Sequence, residues 1–198
     1  VAVFLWANEV YPGFWTALRH SAFNVVSVAT TTGFATVDYA QWPAFAPVLM
    51  LFLCCFATCA GSTGGGIKMV RALILLKGAR RELKRIVHPR AVVPVTLGGA
   101  AVDANVLQSV LAFMLIYGAV MVGATMLLLF SGLDVVSAFT AVIASINNTG
   151  PGLGQVGPAA NYQGLTDFQT WVCTVTMLLG RLELFSILVL FTGSFWRK

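Results

Sequence analysis

Two short runs rich in threonine, asparagine and glycine have residue types and spacing that suit the binding of a cation. They read Ala-Thr-Thr-Thr-Gly-Phe over residues 29–34 and Ile-Asn-Asn-Thr-Gly-Pro over residues 146–151. In each run, small polar side chains precede a glycine that can take positive φ and turn successive carbonyl groups toward one axis. Carbonyl oxygens arranged in this way replace the water shell of a cation. The candidate filter residues are Thr31, Thr32, Gly33, Phe34, Asn148, Thr149, Gly150 and Pro151.

A third run, Gly61 to Gly66, interrupts an apolar stretch that would otherwise be helical from Pro43 to about Arg81. Each glycine inside a helix costs about 1 kcal/mol relative to alanine, so the run predicts a break. Irregular backbone at membrane depth has to be enclosed by protein or line a water-filled path. A passive helix kink that serves packing is the alternative.

Two charged residues, Arg181 and Glu183, lie near the middle of the last apolar stretch. Charges at this depth are costly unless they face the interior of a helix bundle and find partners. Two residues apart on a helix, they point to different faces and pair poorly with each other. We therefore expect Arg181 to donate to carbonyls of the Gly61–Gly66 run, with a purely structural staple as the alternative. Lys68 is expected to extend to the cytoplasmic interface.

The composition excludes an ordinary soluble domain. Of the 198 residues, 58% are hydrophobic and 10% are charged, and the mean hydropathy is +0.85. Soluble domains are about 25% charged, so an integral membrane protein in contact with lipid is predicted. The net charge of +5 does not indicate nucleic acid, because most of the Lys and Arg residues fall between positions 68 and 90, as in a cytoplasmic loop under the positive-inside rule.

Helical elements of two lengths must position these runs. Residues 43–60, 106–130 and 168–196 are long apolar stretches, and about 20 helical residues cross a bilayer. Residues 14–29 and 135–146 are too short to cross and fit re-entrant half-helices, whose C-terminal dipoles favour a cation. Ser21-Ala22-Phe23 matches residues 137–139, and Thr32-Gly33 matches residues 149–150, at offsets of 116 and 117 residues. These matches indicate an internal repeat.

The predicted fold class is an all-α integral membrane protein with two tandem repeats, each a helix, a pore helix, a filter loop and a helix. The first repeat covers 1–81, with a truncated first helix, a pore helix at 14–29, a filter at 30–36 and a broken helix at 43–81. A basic cytoplasmic linker follows at 82–102. The second repeat covers 103–198, with a helix at 103–131, a pore helix at 135–146, a filter at 147–154 and a helix at 168–196.

Four motifs in this order, at residues 27–36, 61–68, 147–152 and 180–183, resemble the Trk/Ktr/HKT-type potassium transporter superfamily, closest to its bacterial TrkH branch. The resemblance covers essentially the whole chain. It implies four pore repeats in one polypeptide, arranged as a pseudo-tetramer around one ion path, of which this sequence has the third and fourth. Two loops cannot close a four-sided filter, so half of the site is expected to lie in a missing N-terminal half.

The resemblance also implies a transported ion, a gate and partners. The ion is potassium, held at Thr32, Gly33, Thr149 and Gly150, and no organic cofactor is expected on this chain. The gate is the intramembrane loop with its arginine, namely Gly61, Ser62, Thr63, Gly64, Gly65, Gly66 and Arg181. Expected partners are the N-terminal half with the first two repeats, a second copy as a homodimer and a cytosolic RCK-type nucleotide-binding regulatory subunit. The expected location is a bacterial inner membrane, crossed several times.

Other functions remain open from the residues alone. A secondary cation symporter would also use discontinuous helices, although its repeats are often inverted. A non-conducting membrane scaffold or receptor is a second alternative. An intramembrane hydrolase would need Ser62 beside a base, but His20 and His88 are expected on the outer side and in the basic loop, so no enzyme activity is predicted. Residues 71–90 are a candidate contact for the regulatory subunit or for lipid headgroups.

Overall fold

The computed structural model describes residues 1–59, 61–62, 64–182 and 196, and this part of the chain is mostly helical. Its α-helices are α1 (Ala2–Ala7), α2 (Phe14–Ala29), α3 (Phe45–Phe56), α4 (Met69–Val87), α5 (Ala104–Phe130), α6 (Val135–Ile146) and α7 (Asp167–Arg181). Short 3-10 turns lie at Tyr39–Gln41, Gly154–Val156 and Tyr162–Gly164. Two strands, β1 (Thr96–Leu97) and β2 (Ala100–Ala101), pair as an antiparallel hairpin.

The two short helices have the bounds predicted from the sequence. α2 has 16 residues and α6 has 12, which correspond to about 24 Å and about 18 Å of helix. Both are shorter than the hydrocarbon core of about 30 Å. Their role as re-entrant pore helices stays a prediction.

α6 is the central helix of the described chain. Nine of its 12 residues are buried, and it packs against α3, α5 and α7. Asp134 caps its first turn, because one carboxylate oxygen accepts from the backbone N–H of Ser137 at 3.0 Å. This hydrogen bond lowers the pKa of the Asp134 carboxyl below its usual value, since it favours the charged form.

Of the three stretches predicted to span, 168–196 stays a prediction, because only part of it lies within the described residues. There, the helix that is long and apolar enough to cross a membrane is Ala104–Phe130. The stretch at 43–60 forms only α3, because the chain leaves the helix at Ala57, before the glycine run begins. α7 begins one residue earlier than expected, after a capping box at Thr166, and is described as far as Arg181. Residues 183–195 lie outside the described residues.

The segment predicted as a basic linker at 82–102 contains the end of α4 and a β-hairpin. α4 does not stop near Arg81 but continues to Val87. The residues that follow are good helix formers, namely Leu83, Lys84 and Arg85. Glu82 also forms ion pairs with Arg81 at 2.8 Å and with Arg85 at 3.5 Å. These pairs are exposed and hold the pKa of Glu82 below its usual value. The helix-forming residues of this segment therefore extend α4 to Val87, although the segment is basic.

The hairpin formed by β1 and β2 departs from the all-α prediction. Gly98 and Gly99 have φ of +58° and +88°, which is the geometry of a tight two-residue hairpin turn. The Lys77 ammonium donates to the Thr96 carbonyl at 2.7 Å and so fixes the hairpin on α4. The linker is thereby tied to the helix that precedes it.

One glycine governs the packing of α7 on α6. A Cβ at Gly180 would overlap the backbone carbonyl of Ile146, whereas a Cβ at Gly118 in α5 would meet nothing within 4 Å. We expect Gly180→Ala to lower the thermal unfolding midpoint of the purified protein by several degrees. The matched control Gly118→Ala should leave it unchanged or raise it slightly, since alanine is the better helix former. Equal midpoints for the two variants would contradict this account of the helix crossing.

Candidate functional site

The first Thr-Gly loop begins with a complete helix-ending motif at the C-terminus of α2. The Thr31 N–H donates to the Val28 carbonyl at 3.0 Å, and the Thr32 N–H reaches back to the Ser27 carbonyl at 2.8 Å. These two bonds are the pattern of a Schellman motif, which satisfies carbonyls at the end of a helix. The chain therefore leaves α2 in a fixed direction.

The second loop repeats this pattern at the end of α6. The Asn148 N–H donates to the Ser145 carbonyl at 3.0 Å, and the Thr149 N–H donates to the Ala144 carbonyl at 2.9 Å. Asn148 has φ of +54° and Thr31 has φ of +56°. Both loops therefore turn at a left-handed residue that is not glycine.

Gly33 and Gly150 do not serve as helix-ending residues. The left-handed residue that ends each helix is Thr31 or Asn148, and each glycine lies two residues further on, with φ of +83° and +105°. Helix termination therefore falls to Thr31 and Asn148, and the two glycines belong to the segments that follow. A β-branched residue in the left-handed region costs about 1–2 kcal/mol, and strain of this kind at Thr31 is typical of functional sites.

The two Thr-Gly loops contact each other directly. A Cβ on Gly33 would overlap the backbone carbonyl of Thr149, and it would lie 3.4 Å from Cδ of Pro151. Close backbone approach therefore requires glycine at position 33. At Gly150 a Cβ would meet nothing within 4 Å, so only its positive φ favours glycine there.

Buried polar side chains brace the chain beyond the first loop. Ser27 donates its hydroxyl to the Phe34 carbonyl at 2.6 Å. Asn24 donates to the Thr36 hydroxyl at 3.0 Å and accepts from the Thr36 N–H at 3.2 Å. These side chains fix the distance between α2 and the extended segment that follows Gly33.

The second loop has a corresponding brace, in which the Thr140 hydroxyl accepts from the Leu153 N–H at 2.9 Å. The sequence analysis missed both braces. The signal in the sequence was an uncharged polar residue, Asn24 or Thr140, among apolar neighbours in a short helix, because a polar group buried there needs a hydrogen-bond partner.

The environments of the two loops differ. Phe34 is 71% exposed and Thr32 is also exposed, whereas Thr149 is only 4% exposed. The second loop is held from outside as well, because the Tyr162 hydroxyl donates to the Gly150 carbonyl at 2.8 Å. Asn148 donates to the Met177 carbonyl of α7 at 3.2 Å. The second loop is thus more covered by protein than the first, although Gly150 itself is exposed.

The glycine run lies against the inner side of both loops. A Cβ on Gly64 would lie 3.1 Å from the Thr31 hydroxyl, and a Cβ on Gly65 would overlap the Asn147 carbonyl. Gly66 has φ of +88° and abuts the side-chain oxygen of Asn147. Glycines at these three positions therefore let the run approach the loops.

Local hydrogen bonds hold the run in place. The Thr58 hydroxyl donates to the Gly65 carbonyl at 2.9 Å, and the Ile67 N–H donates to the Cys55 carbonyl at 2.8 Å. The Lys68 ammonium donates to the exposed Ser62 carbonyl at 2.7 Å, and its extension to the cytoplasmic interface stays a prediction. A hydrogen bond from a charged ammonium is stronger than one between neutral groups, which favours this contact. Thr63 lies outside the described residues.

Arg181 and the glycine run line one cavity of about 290 Å³. Its wall also includes Lys68 and Arg71, so three cationic side chains surround the same space. The Arg71 guanidinium lies 4.1 Å from the centre of the Phe113 ring, within cation–π range. The structure therefore brings Arg181 close to the predicted gate, and its role as a latch stays a prediction. Glu183 lies outside the described residues.

The two Thr-Gly loops offer neutral oxygen atoms to a bound ion. Within residues 1–59, 61–62, 64–182 and 196, no group of three or more His, Cys, Asp or Glu side chains is placed to hold a metal ion. The polar groups of the two loops include backbone carbonyls, the hydroxyls of Thr31, Thr32 and Thr149, and the amide of Asn148. Neutral oxygen donors of this kind allow a cation to bind and leave.

A matched pair of glycines tests the contact between the run and the second loop. Gly65→Ala should displace the run, because its Cβ would overlap the Asn147 carbonyl, whereas Gly61→Ala should not, because nothing lies within 4 Å of its Cβ. Exposed Cys59 lies beside the run and reports the displacement. We expect faster reaction of Cys59 with a thiol reagent in Gly65→Ala than in Gly61→Ala. Indistinguishable rates would mean that the run does not depend on this contact.

A family model described as "TrkH: Cation transport protein" matches residues 14–198. The chain is 45% identical over 194 residues to the Trk system potassium uptake protein TrkH of Salmonella typhimurium, which covers 98% of this chain and 40% of that protein. It is 40% identical over 179 residues to the Trk system potassium uptake protein TrkG of Escherichia coli K12, covering 90% of this chain and 36% of that protein.

A solved structure of a related protein is also similar to this chain. The crystal structure of the potassium transporter TrkH from Vibrio parahaemolyticus matches 99% of this chain and 42% of that chain, with a TM-score of 0.91 and 44% sequence identity. The chain thus spans about 40% of the length of the curated relatives it matches.

Proposed function

The chain belongs to the TrkH family of cation transport proteins, and from this membership we propose that it forms part of a potassium uptake system in a bacterial inner membrane. The names of its relatives, Trk system potassium uptake proteins, support the transported ion. The observation that carries the proposal is the paired loop geometry, in which Thr31 and Asn148 turn two short helices into Thr-Gly segments that meet at Gly33 and Thr149.

In the proposed mechanism the two loops are half of a selectivity filter. Potassium sheds its water and binds oxygens at Thr32, Gly33, Thr149 and Gly150. Two tandem repeats supply these loops, and two further repeats in the N-terminal remainder of the protein complete a pseudo-tetrameric, channel-like pore. The repeated hydrogen-bond pattern, displaced by 117 residues from Ser27 to Ala144, supports a tandem origin. The exposure of Thr32 and Phe34 in the first loop supports a missing neighbour.

The glycine run is the proposed gate. It comprises Gly61, Ser62, Thr63, Gly64, Gly65 and Gly66, and Arg181 is proposed to latch it across the ion path. The run lies close to Thr31 at Gly64 and against Asn147 at Gly65, which supports a barrier placed directly against the loops. Conduction therefore requires the run to move.

Partners are proposed from the resemblance and from charge. A homodimer and a cytosolic RCK-type nucleotide-binding subunit would complete the system. The basic side chains that could meet the acidic surface of such a subunit lie on α4, and they are Lys77, Arg80, Arg81, Lys84 and Arg85. Anionic lipid headgroups would bind the same charges.

The primary test is potassium uptake by the full-length protein in a bacterial strain that lacks its own potassium uptake systems. Growth at low potassium, together with flux of potassium or rubidium into the cells, is the expected result. A protein that inserts in the membrane but supports neither growth nor flux would overturn the proposal and favour a scaffold or receptor.

Gly150→Ser and Gly33→Ser test the filter separately from the fold. The serine side chain in Gly150→Ser would meet open space, but serine disfavours the positive φ of this position. We therefore expect normal insertion with a reduced preference for potassium over sodium. Gly33→Ser should have the larger effect on both selectivity and stability, because its Cβ overlaps the Thr149 carbonyl. Ratios of potassium to sodium flux measure the effect. Unchanged ratios in both inserted variants would reject the filter assignment.

Arg181→Ala tests the latch. Removing a fixed positive charge and its donors from the cavity beneath the loops should raise potassium flux and weaken dependence on the regulatory subunit. Arg181→Lys is the matched control, because it keeps the charge and loses the planar fork of donors. Its potassium flux should lie between those of the unmodified protein and Arg181→Ala. Flux at or below the unmodified level in inserted Arg181→Ala would leave the arginine as a packing residue.

A further inference from the structure

Asn147 is a fully buried polar residue at the end of α6, and its side chain is held by two neighbouring helices. Its amide nitrogen donates to the Ile143 carbonyl at 2.9 Å and to the sulfur of Cys55 in α3 at 3.5 Å. Its amide oxygen accepts from the hydroxyl of Tyr117 in α5 at 3.2 Å. A buried amide satisfied on both sides is held rigidly.

The same residue is the surface on which the glycine run rests. Gly65 abuts the Asn147 backbone carbonyl, and Gly66 abuts its side-chain oxygen. Neither contact leaves room for a Cβ. Any movement of the run away from the loops must therefore separate it from both oxygen atoms of Asn147.

Asn147 is also joined to the ion-binding segment through the backbone. The next residue, Asn148, is the left-handed residue of the turn, and Thr149 follows with its carbonyl against Gly33. A rotation of the Asn147 peptide therefore changes the direction of the Thr149 carbonyl. Only one intervening residue separates the surface that meets the run from the segment proposed to meet the ion.

We propose that Asn147 is a positioning residue that couples the glycine run to the filter, with Tyr117 and Cys55 holding its amide in the orientation that the closed run requires. The inference rests on the proposed function, because it takes the Thr-Gly loops as the ion site and the run as the gate. Coupling between two sites is reciprocal in free energy. Potassium in the filter therefore changes the equilibrium of the run, and the position of the run changes potassium affinity.

Two tyrosines provide a matched pair of variants. Tyr117→Phe removes the hydroxyl that donates to Asn147 and keeps the buried ring. Tyr162→Phe also removes one phenol hydroxyl, but that hydroxyl donates to Gly150, three residues beyond the residue that the run contacts. Each variant removes one hydrogen bond to the second loop, and only Tyr117→Phe acts on the proposed coupling.

Cys59 provides a reporter that the chain already contains. It is exposed beside the run, and its carbonyl accepts from the Ser62 N–H at 3.1 Å, whereas Cys54, Cys55 and Cys173 are buried. We would measure the rate at which the full-length protein in membrane vesicles reacts with a membrane-impermeant maleimide, over a range of potassium concentrations. Sodium at equal ionic strength is the ion control, and Cys59→Ser is the labelling control.

We expect the Cys59 reaction rate in the unmodified protein to depend on potassium and not on sodium. Tyr117→Phe should reduce that dependence by about fivefold, the factor that corresponds to one net hydrogen bond. Tyr162→Phe should retain the dependence while altering ion preference. In an Asn147→Ala background, Tyr117→Phe should have no further effect, because its partner is gone. Should Asn147→Ala fail to fold, the Tyr117→Phe and Tyr162→Phe comparison alone decides.

A potassium dependence in Tyr117→Phe equal to that of the unmodified protein would overturn the coupling. The coupling would also be overturned if the Cys59 reaction rate did not depend on potassium in an unmodified protein with normal uptake. Failure of the proposed function is a separate observation, namely an unmodified protein that inserts but takes up no potassium in the flux assay.

Discussion

A chain that leaves a helix in apolar surroundings must find hydrogen-bond partners inside the protein, because lipid and a dry core supply none. At the ends of α2 and α6 this demand is met by a left-handed turn at Thr31 and Asn148, each followed by an N–H that reaches back into the helix. The direction of the outgoing chain is then fixed. Buried side chains such as Asn24 and Thr140 complete the arrangement by bonding to that outgoing chain.

The C-terminal end of α6 is where the remaining parts of the site converge, and glycine is the residue that permits this. Three backbone carbonyls, those of Ile146, Asn147 and Thr149, each face a glycine from another segment. Those glycines belong to the last helix, the glycine run and the first loop: Gly180, Gly65 and Gly33. Carbonyls at a helix C-terminus carry partial negative charge, and a missing side chain lets another backbone approach them. One helix end thereby aligns three otherwise separate elements.

Local patterns predicted the helices well where composition and boundary residues agreed. The bounds of α2 and α6 followed from short apolar runs that end at polar residues. α4 and its hairpin were misread because basic character was taken as a sign of a linker, although Gly98-Gly99 is a readable turn signal. At the site, the candidate residues could be located from their types, but their partners could not. The bond from Lys68 to Ser62 and the network around Asn147 depend on long-range packing, which no local pattern encodes.

The unequal exposure of the two loops bears on how the site is completed. The second loop is covered by α7 and by Tyr162, whereas Phe34 and Thr32 of the first loop are exposed. Polar backbone cannot face lipid, so the exposed part of the first loop has to be covered by protein or line a water-filled path. Apolar side chains on the same half-helix, including Trp15 and Val26, are also exposed and require an apolar neighbour. A neighbouring surface that is polar beside the loop and apolar beside α2 satisfies both demands.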